Sequence, residues 1–270
     1  MTTSGSADRT PTTDLFTGTA HYYARYRAPY PAEVLDLLTA EFRLDGTGRL
    51  LDLGCGTGQI ALPLHDRFDE VVALDNDPGM IAEAEAQGRA AAVTNVRWLV
   101  LPAEQIGSDL GRFRLVTIGS AFHWMNRPLV LERCHALLTD DGGVALLDMS
   151  SFWGGSRPWE QAVVRVVQRW LGSERRAGAG SFPGGGPRHH EVLEQAAFKD
   201  IRRGTVTLRR AWDIPSIIGH LYSTSYCNRA LLGDNVAAFE ADLRADLLRL
   251  HPAGVFEQET PVGYIFGHRA

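Results

Sequence analysis

Apolar residues along this 270-residue chain gather into short continuous runs separated by longer stretches of helical spacing. The runs are Leu50-Leu51-Asp52-Leu53, Val71 to Asp75, Val96 to Val100, Leu115 to Ile118 and Val144 to Asp148. Runs of this kind, bounded by turn signals, mark strands buried on both faces. Between them, Ile60 to Phe68 reads as a helix, and Asp77-Pro78 supplies the cap and first position of a second one that stops at Gly88. Pro128 opens a third, closed by Asp141-Gly142-Gly143. Strands alternating with helices at this spacing predict an α/β fold with a mostly parallel sheet and right-handed crossovers.

The pattern differs on either side of that stretch. Pro31 starts a helix with Val34, Leu35, Leu38 and Phe42 on one face, after a segment from His21 to Tyr30 dense in tyrosine and arginine. Two readings of that segment stay open: an amphipathic lead-in packed on the sheet, or a lid whose Tyr22 and Arg27 reach a bound anionic group. Beyond Met149, Pro158 opens a helix with Trp159, Val163, Val166, Val167 and Trp170 at helical spacing. A glycine-rich loop over 172–187 follows, then a helix over 189–198 and a strand over 204–208. Asp213-Ile214-Pro215 caps a further helix through Leu221, and Val236, Phe239, Leu243, Leu247 and Leu250 mark a long amphipathic one. The last strand is Val262 to Gly267. The expected organisation is a disordered tail over 1–13, an N-terminal helical lid over 14–45 and a Rossmann-like core over 46–150. Residues 151–270 supply cap helices and the final strands of the same sheet.

The first strand breaks into Gly54, Gly56 and Gly58 just before a helical pattern begins. Glycines there let a ligand lie against bare backbone at the corner of an open α/β sheet. The spacing is G-x-G-x-G, and Gln59 stands where a dinucleotide motif needs its third glycine, which argues against a pyrophosphate cradle. Asp52, ahead of the glycines, turns the loop further from phosphate.

Composition narrows the choice. A net charge of −5 and no evident basic stripe give no reason to expect nucleic acid. Three cysteines, Cys55, Cys134 and Cys227, lie far apart without a C-x-x-C, as in a reducing compartment. No apolar run of membrane length and no leader pattern occur, so a soluble cytoplasmic protein, off the membrane, is expected. His189-His190 has no third ligand at metal spacing, so no metal is expected.

These features together resemble the class I S-adenosylmethionine-dependent methyltransferases. The small-molecule branch, with the trans-aconitate and ubiquinone-pathway methyltransferases, is the most similar. The resemblance runs over roughly residues 20–150. Leu51 to Gly58 matches the D/E-x-G-x-G-x-G motif, and Asp75 the acid ending the second strand. Ala103-Glu104 matches the loop after the third strand, and Phe122-His123-Trp124 the segment after the fourth. The resemblance implies an open seven-stranded sheet with the last strand antiparallel and helices on both faces. It implies S-adenosylmethionine as cofactor and S-adenosylhomocysteine as product. Asp75 would then bind the ribose hydroxyls, Gly54, Gly56, Gly58 and Ser120 would line the cofactor, and Asn76 and Met80 would flank the adenine. The Ala103 backbone would meet the adenine edge; Pro102 stands where an acid is often found, leaving Glu104 or water to serve. Asp52 would organise the glycine loop or attract the sulfonium.

The implied reaction is O- or N-methylation of a small molecule such as a secondary metabolite, by in-line displacement. Proximity and exclusion of water then carry most of the catalysis. His123 has two open roles, as general base or as a hydrogen-bonding group that never moves a proton. Trp124, Trp153, Tyr222 and Tyr226 are candidates to line an acceptor pocket, and a nearly neutral, aromatic cap favours an uncharged or planar acceptor. A protein that keeps the cofactor fold but cyclises a substrate, or only binds, would carry the same motif. A monomer or homodimer is expected.

Overall fold

The computed structural model describes residues 15–178, 180–182 and 186–270. The tail expected over 1–13 lies outside the described residues. In chain order the elements begin with helices α1 (Ala20–Tyr26) and α2 (Ala32–Glu41), strand β1 (Arg49–Leu53) and the single turn α3 (Ala61–Leu64). Then come β2 (Glu70–Asp75), α4 (Pro78–Ala90), β3 (Val96–Val100), β4 (Phe113–Gly119), α5 (Arg127–Leu137) and β5 (Leu138–Met149). Helix α6 (Pro158–Leu171) leads to a small hairpin, β6 (Arg176–Ala177) and β7 (Gly180–Ser181), and to α7 (His189–Glu194). The chain closes with β8 (Phe198–Asp213), α8 (Ile214–Tyr222), α9 (Arg229–Leu232), α10 (Val236–Leu250) and β9 (Val255–Arg269).

Seven strands form one sheet in the order β3-β2-β1-β4-β5-β9-β8, with β9 antiparallel to both of its neighbours. From β1 the chain winds outward to β3, then returns to β4 on the other side of β1. The carboxyl ends of β1 and β4 therefore flank the topological switch point, where open α/β sheets place their ligands. Alternate residues of each strand serve opposite faces. Leu51 and Leu53 pack with Val130, Leu131 and Cys134 of α5, whereas Leu50 packs with Val34, Leu38 and Phe42 on the α2 side. Both faces are covered, which is why these strands read as unbroken apolar runs.

The last two strands are longer than their apolar cores. β5 pairs with β9 only from Val262 to His268, but β8 continues along β9 to the pair Asp213↔Val255. The surplus forms a two-stranded arm beyond the sheet. Its inward residues include Trp212 and Phe256, which join Trp159, Val163, Ile217, Leu221, Phe239, Leu243 and Leu247 in a separate core under α6, α8 and α10. The arm escapes the expected strands, 204–208 and 262–267, because Arg210, Gln258 and Thr260 occupy inward positions and hide the apolar alternation.

Other boundaries shift for local reasons. The helix opened by Pro128 ends at Leu137 rather than at the glycines, and β5 starts at once, its Leu138 carbonyl accepting from Arg269 at 2.8 Å. Asp140 to Gly142 is a bulge, because Phe113 pairs with Leu138 while Leu115 pairs with Gly143. The expected helix over 60–68 is one α turn followed by a 3-10 turn, His65–Arg67, and the helix from His189 stops at Glu194. Among the described residues no helix is long and apolar enough to cross a membrane.

The cap core yields a stability prediction. Phe239 is fully buried there, so Phe239→Ala should cost about 3–5 kcal/mol, read as a lower urea midpoint. An unchanged midpoint would mean that the cap does not unfold with the sheet.

Candidate active site

The loop after β1 is held by its neighbours' backbone and by two acids. Cys55 N–H donates to the Leu74 carbonyl at 3.0 Å, continuing the β1–β2 ladder past the end of the strand. Gly56 N–H donates to Asp75 Oδ2 at 2.9 Å, and Asp77 N–H to Asp75 Oδ1 at 3.0 Å. Asp52 accepts from Thr117 Oγ1 at 2.7 Å and from the Ala61 N–H at 3.2 Å, joining β1, β4 and α3. Gly54 has φ +61°, and a Cβ there would stand 2.7 Å from Cβ of Ala121. Only glycine lets the two strand ends approach this closely. Asp77 caps α4, accepting from Gly79 and Met80 N–H at 2.7 and 3.2 Å.

Two clefts open over this corner. The first, about 830 Å³, is floored by Gly54 and Gly56 and walled by Asp75, Asn76 and Met80 on one side and Ala103, Glu104 and Trp124 on another. Leu15, Phe16 and Tyr23 also line it. The second, about 750 Å³, lies toward the cap and is lined by Arg27, Tyr30, Asp52, Phe152, Arg210, Trp212 and His220 among others. Tyr23, Gly54, Gly119 and Ser120 line both clefts. Ser120 has φ +51°, in the left-handed region, and its hydroxyl lies 3.2 Å from that of Tyr30. A strained residue at the junction of two clefts is a common mark of a functional corner.

Residues 50–142, from β1 to the bulge of β5, match the model of a methyltransferase domain. The chain thus carries a methyltransferase domain. An uncharacterized methyltransferase of Mycobacterium tuberculosis is 28% identical over 232 residues, 86% of this chain and 84% of the relative. A protein of Dictyostelium discoideum is 27% identical over 133 residues, so the match spans about half of its length, 48%, and 49% of this chain. Among solved structures, the fold is shared with a Haemonchus contortus phosphoethanolamine N-methyltransferase in complex with S-adenosylhomocysteine. That likeness has a TM-score of 0.53 at 16% identity and covers 94% of this chain and 57% of that one. It is shared equally with a [4+2]-cyclase, SpnF, at TM-score 0.53 and 16% identity over 90% of this chain and 84% of the other.

Within this domain, most of the expected cofactor residues converge. Gly54, Gly56, Asp75, Asn76, Met80, Ala103, Glu104 and Ser120 all line the first cleft. Glu104 also accepts from Asn126 N–H at 2.8 Å, so part of its carboxylate fastens the next loop. Asp52 stands in the second cleft, with its carboxylate committed to Thr117 and Ala61 in the loop-organising role. Gly58 lies outside both linings; a Cβ there would stand 3.0 Å from Leu62 and Trp98, so it serves close packing. Of the lid pair, Arg27 lines the second cleft but Tyr22 points away, edge-on to Tyr222 with ring centres 5.3 Å apart. Tyr23, one position on, takes the place expected of Tyr22, with the Arg27 guanidinium 4.8 Å above its ring. Helical phase decides between adjacent tyrosines, and the short α1 carries too few apolar residues to reveal that phase in advance.

The expected acceptor aromatics are distributed differently. Trp124 lines the first cleft. Trp153 and Tyr226 pack edge-on in the cap, and the Tyr222 hydroxyl donates to Glu240 at 2.7 Å; none of the three lines either cleft. Phe152, Trp212 and His220 line the second cleft instead. The lining also carries two guanidiniums, Arg27 and Arg210, so it is not the nearly neutral site expected.

His123 lines neither cleft. Its ring lies 4.8 Å from Trp124, 5.8 Å from Phe182 and 6.3 Å from His189, between centres. Burial, then the neighbouring His189, Arg175 and Arg127, push its pKa from 6.5 down to about 4. The imidazole is thus weakly basic and packs away from both clefts.

That shift gives a pH prediction with a definite sign. Between about pH 6.5 and 4 the unfolded chain protonates His123 while the native one does not. Stability therefore falls as pH drops through that window and is unaffected above it. In urea titrations, wild type should lose more stability between pH 7.5 and 4.5 than His123→Phe; equal losses would place the imidazole in solvent.

Proposed function

We propose that the chain binds S-adenosylmethionine in the first cleft and methylates a small molecule, on O or N, held in the second. The observation that carries this reading is the shared wall: Tyr23, Gly54, Gly119 and Ser120 belong to both clefts, so ligands in each meet over the glycine loop. The residues present fit the cofactor. Gly54 offers bare backbone where a side chain would collide with Ala121. Asp75 places a carboxylate on the first cleft's wall, suited to a pair of ribose hydroxyls. Arg27 has a buried Nε without a partner, although its Nη2 donates to the Ser223 carbonyl at 3.0 Å. A desolvated guanidinium N–H calls for an anion; Arg27 lines the second cleft beside Tyr23, which both clefts share, so the cofactor's amino-acid carboxylate would reach it across the junction.

When bound, S-adenosylmethionine brings an activated methyl with a neutral leaving group. The chain's own residues then align and exclude water. Tyr23 roofs the junction, and Phe16 stands edge-on to it with ring centres 6.4 Å apart. Asp52, Thr117 and Ala61 keep the β1 and β4 ends in register beneath it.

Two measurements test the cofactor reading. Asp75→Ala removes charge-assisted hydrogen bonds worth about 1.5–3 kcal/mol, so S-adenosylhomocysteine affinity should fall roughly tenfold to a hundredfold by calorimetry. Unchanged affinity in a folded variant would sink the ribose assignment. Arg27→Met should weaken S-adenosylhomocysteine about tenfold and leave its decarboxylated analogue unaffected; equal weakening of both would move Arg27 away from the carboxylate. Acceptors consumed without uptake of label from the cofactor would favour a cyclase-like activity over methyl transfer.

A further inference from the structure

The inner face of the β8–β9 arm carries polar residues where a strand over a core should carry apolar ones. Along β8 the inward positions are Leu208, Arg210 and Trp212, and Arg210 pairs in register with Gln258 of β9. An inward guanidinium is costly unless something answers its charge. Arg210 lies 3.8 Å above the Trp212 ring and donates through Nη1 to the Tyr26 carbonyl at 3.2 Å. Neither contact is an anion; Asp213, at the end of the strand, acts on it only through space, and among the described residues no carboxylate forms a close ion pair with it.

The residues around it are already committed. Gln258 accepts from the Trp212 indole at 2.8 Å and donates to Glu160 at 2.6 Å, which fixes the ring under Arg210. Asp52 is the one carboxylate in the lining, and it is bound to Thr117 and Ala61. Burial pushes its pKa up to about 7, which weakens it further as a counter-charge. His220, buried between Phe152 and Trp212 with ring centres 4.6 and 5.1 Å away, has no side-chain partner for either ring nitrogen, and the polar group beside it is the Tyr26 backbone. Burial and the cations Arg27 and Arg210 keep it neutral, with one N–H to give.

With Arg27 assigned to the cofactor, one guanidinium without an ion-pair partner and one imidazole without a side-chain partner remain on the same cleft. We infer that the methyl acceptor is a small organic acid with a flat apolar body, its carboxylate seated on Arg210 with His220 as a second donor. This rests on the methyltransferase reading above and names the acceptor's class. A planar guanidinium matches a carboxylate in geometry, and a single positive charge suits a monoanion better than a phosphate dianion. Phe152, Trp212 and Leu208 provide the apolar walls.

The test uses full-length protein saturated with S-adenosylhomocysteine. The probes are benzoate, cinnamate and sorbate, each beside its primary amide, read by calorimetry. At least one acid should bind, and its amide should bind at least roughly tenfold more weakly, about 1.4 kcal/mol. Arg210→Gln should abolish that preference without changing S-adenosylhomocysteine affinity, and His220→Phe should weaken the acid alone. Arg209→Gln is the control, since Arg209 pairs with Glu259 at 2.9 Å on the exposed side of the strand. Equal binding of acid and amide, no binding of any acid, or an acid preference that survives Arg210→Gln would each overturn the inference. Failure of the wild type to bind S-adenosylhomocysteine would instead overturn the methyltransferase reading, and is seen before any acid is added.

Discussion

One buried carboxylate holds the corner on which everything else is built. Asp52, at 1% exposure, receives a hydroxyl from β4 and a backbone N–H from the first turn after the glycine loop. Parallel neighbours at a topological switch point diverge because their crossovers leave in opposite directions. Asp52 ties the two strand ends where that divergence would open the sheet, and Gly54 lets Ala121 come close enough for the tie to form. Asp75 repeats the device one strand over, fastening Gly56 and Asp77. The loop therefore presents its backbone from a framework secured on both sides.

The cap is joined to this framework through the N-terminal helix. Arg27 donates to Ser223 after α8, Arg210 of the arm donates to the Tyr26 carbonyl, and the Tyr26 ring lies against Gly219 so closely that a Cβ there would stand 2.4 Å away. α1 thus closes over the second cleft by backbone and glycine contacts with the cap. Its outward turn meets the cap again through Tyr22, which accepts from Arg229 at 3.4 Å.

How much was legible in the sequence followed from how each residue is used. The central strands were read almost to the residue because burial on both faces makes their composition uniform, as in Val71 to Leu74. Glycines forced into φ near +60° and an acid at a strand end leave a local signature, and so the first cleft was legible. The second cleft was not. Its walls come from three distant segments, around residues 27, 152 and 210, and no local pattern links them. At Arg210 and Gln258 the inward polar residues erased the alternation that would have revealed the strand. His123 shows the converse: a reactive residue type beside a recognised motif, turned by its 3-10 turn toward Phe182 and His189 rather than the clefts.

The arm of β8 and β9 has an evolutionary consequence. Its backbone is held by its own ladder and by the cap core, while Leu208, Arg210, Trp212, Gln258 and Thr260 face the second cleft. Positions 208 and 260 can therefore exchange without disturbing a strand bond, a glycine or an acid of the corner, whereas Arg210 and Gln258 also carry the contacts to Tyr26, Trp212 and Glu160. Such a ribbon works as a short row of interchangeable keys. A chain that keeps the corner is free to change what the second cleft admits by changing letters on this ribbon.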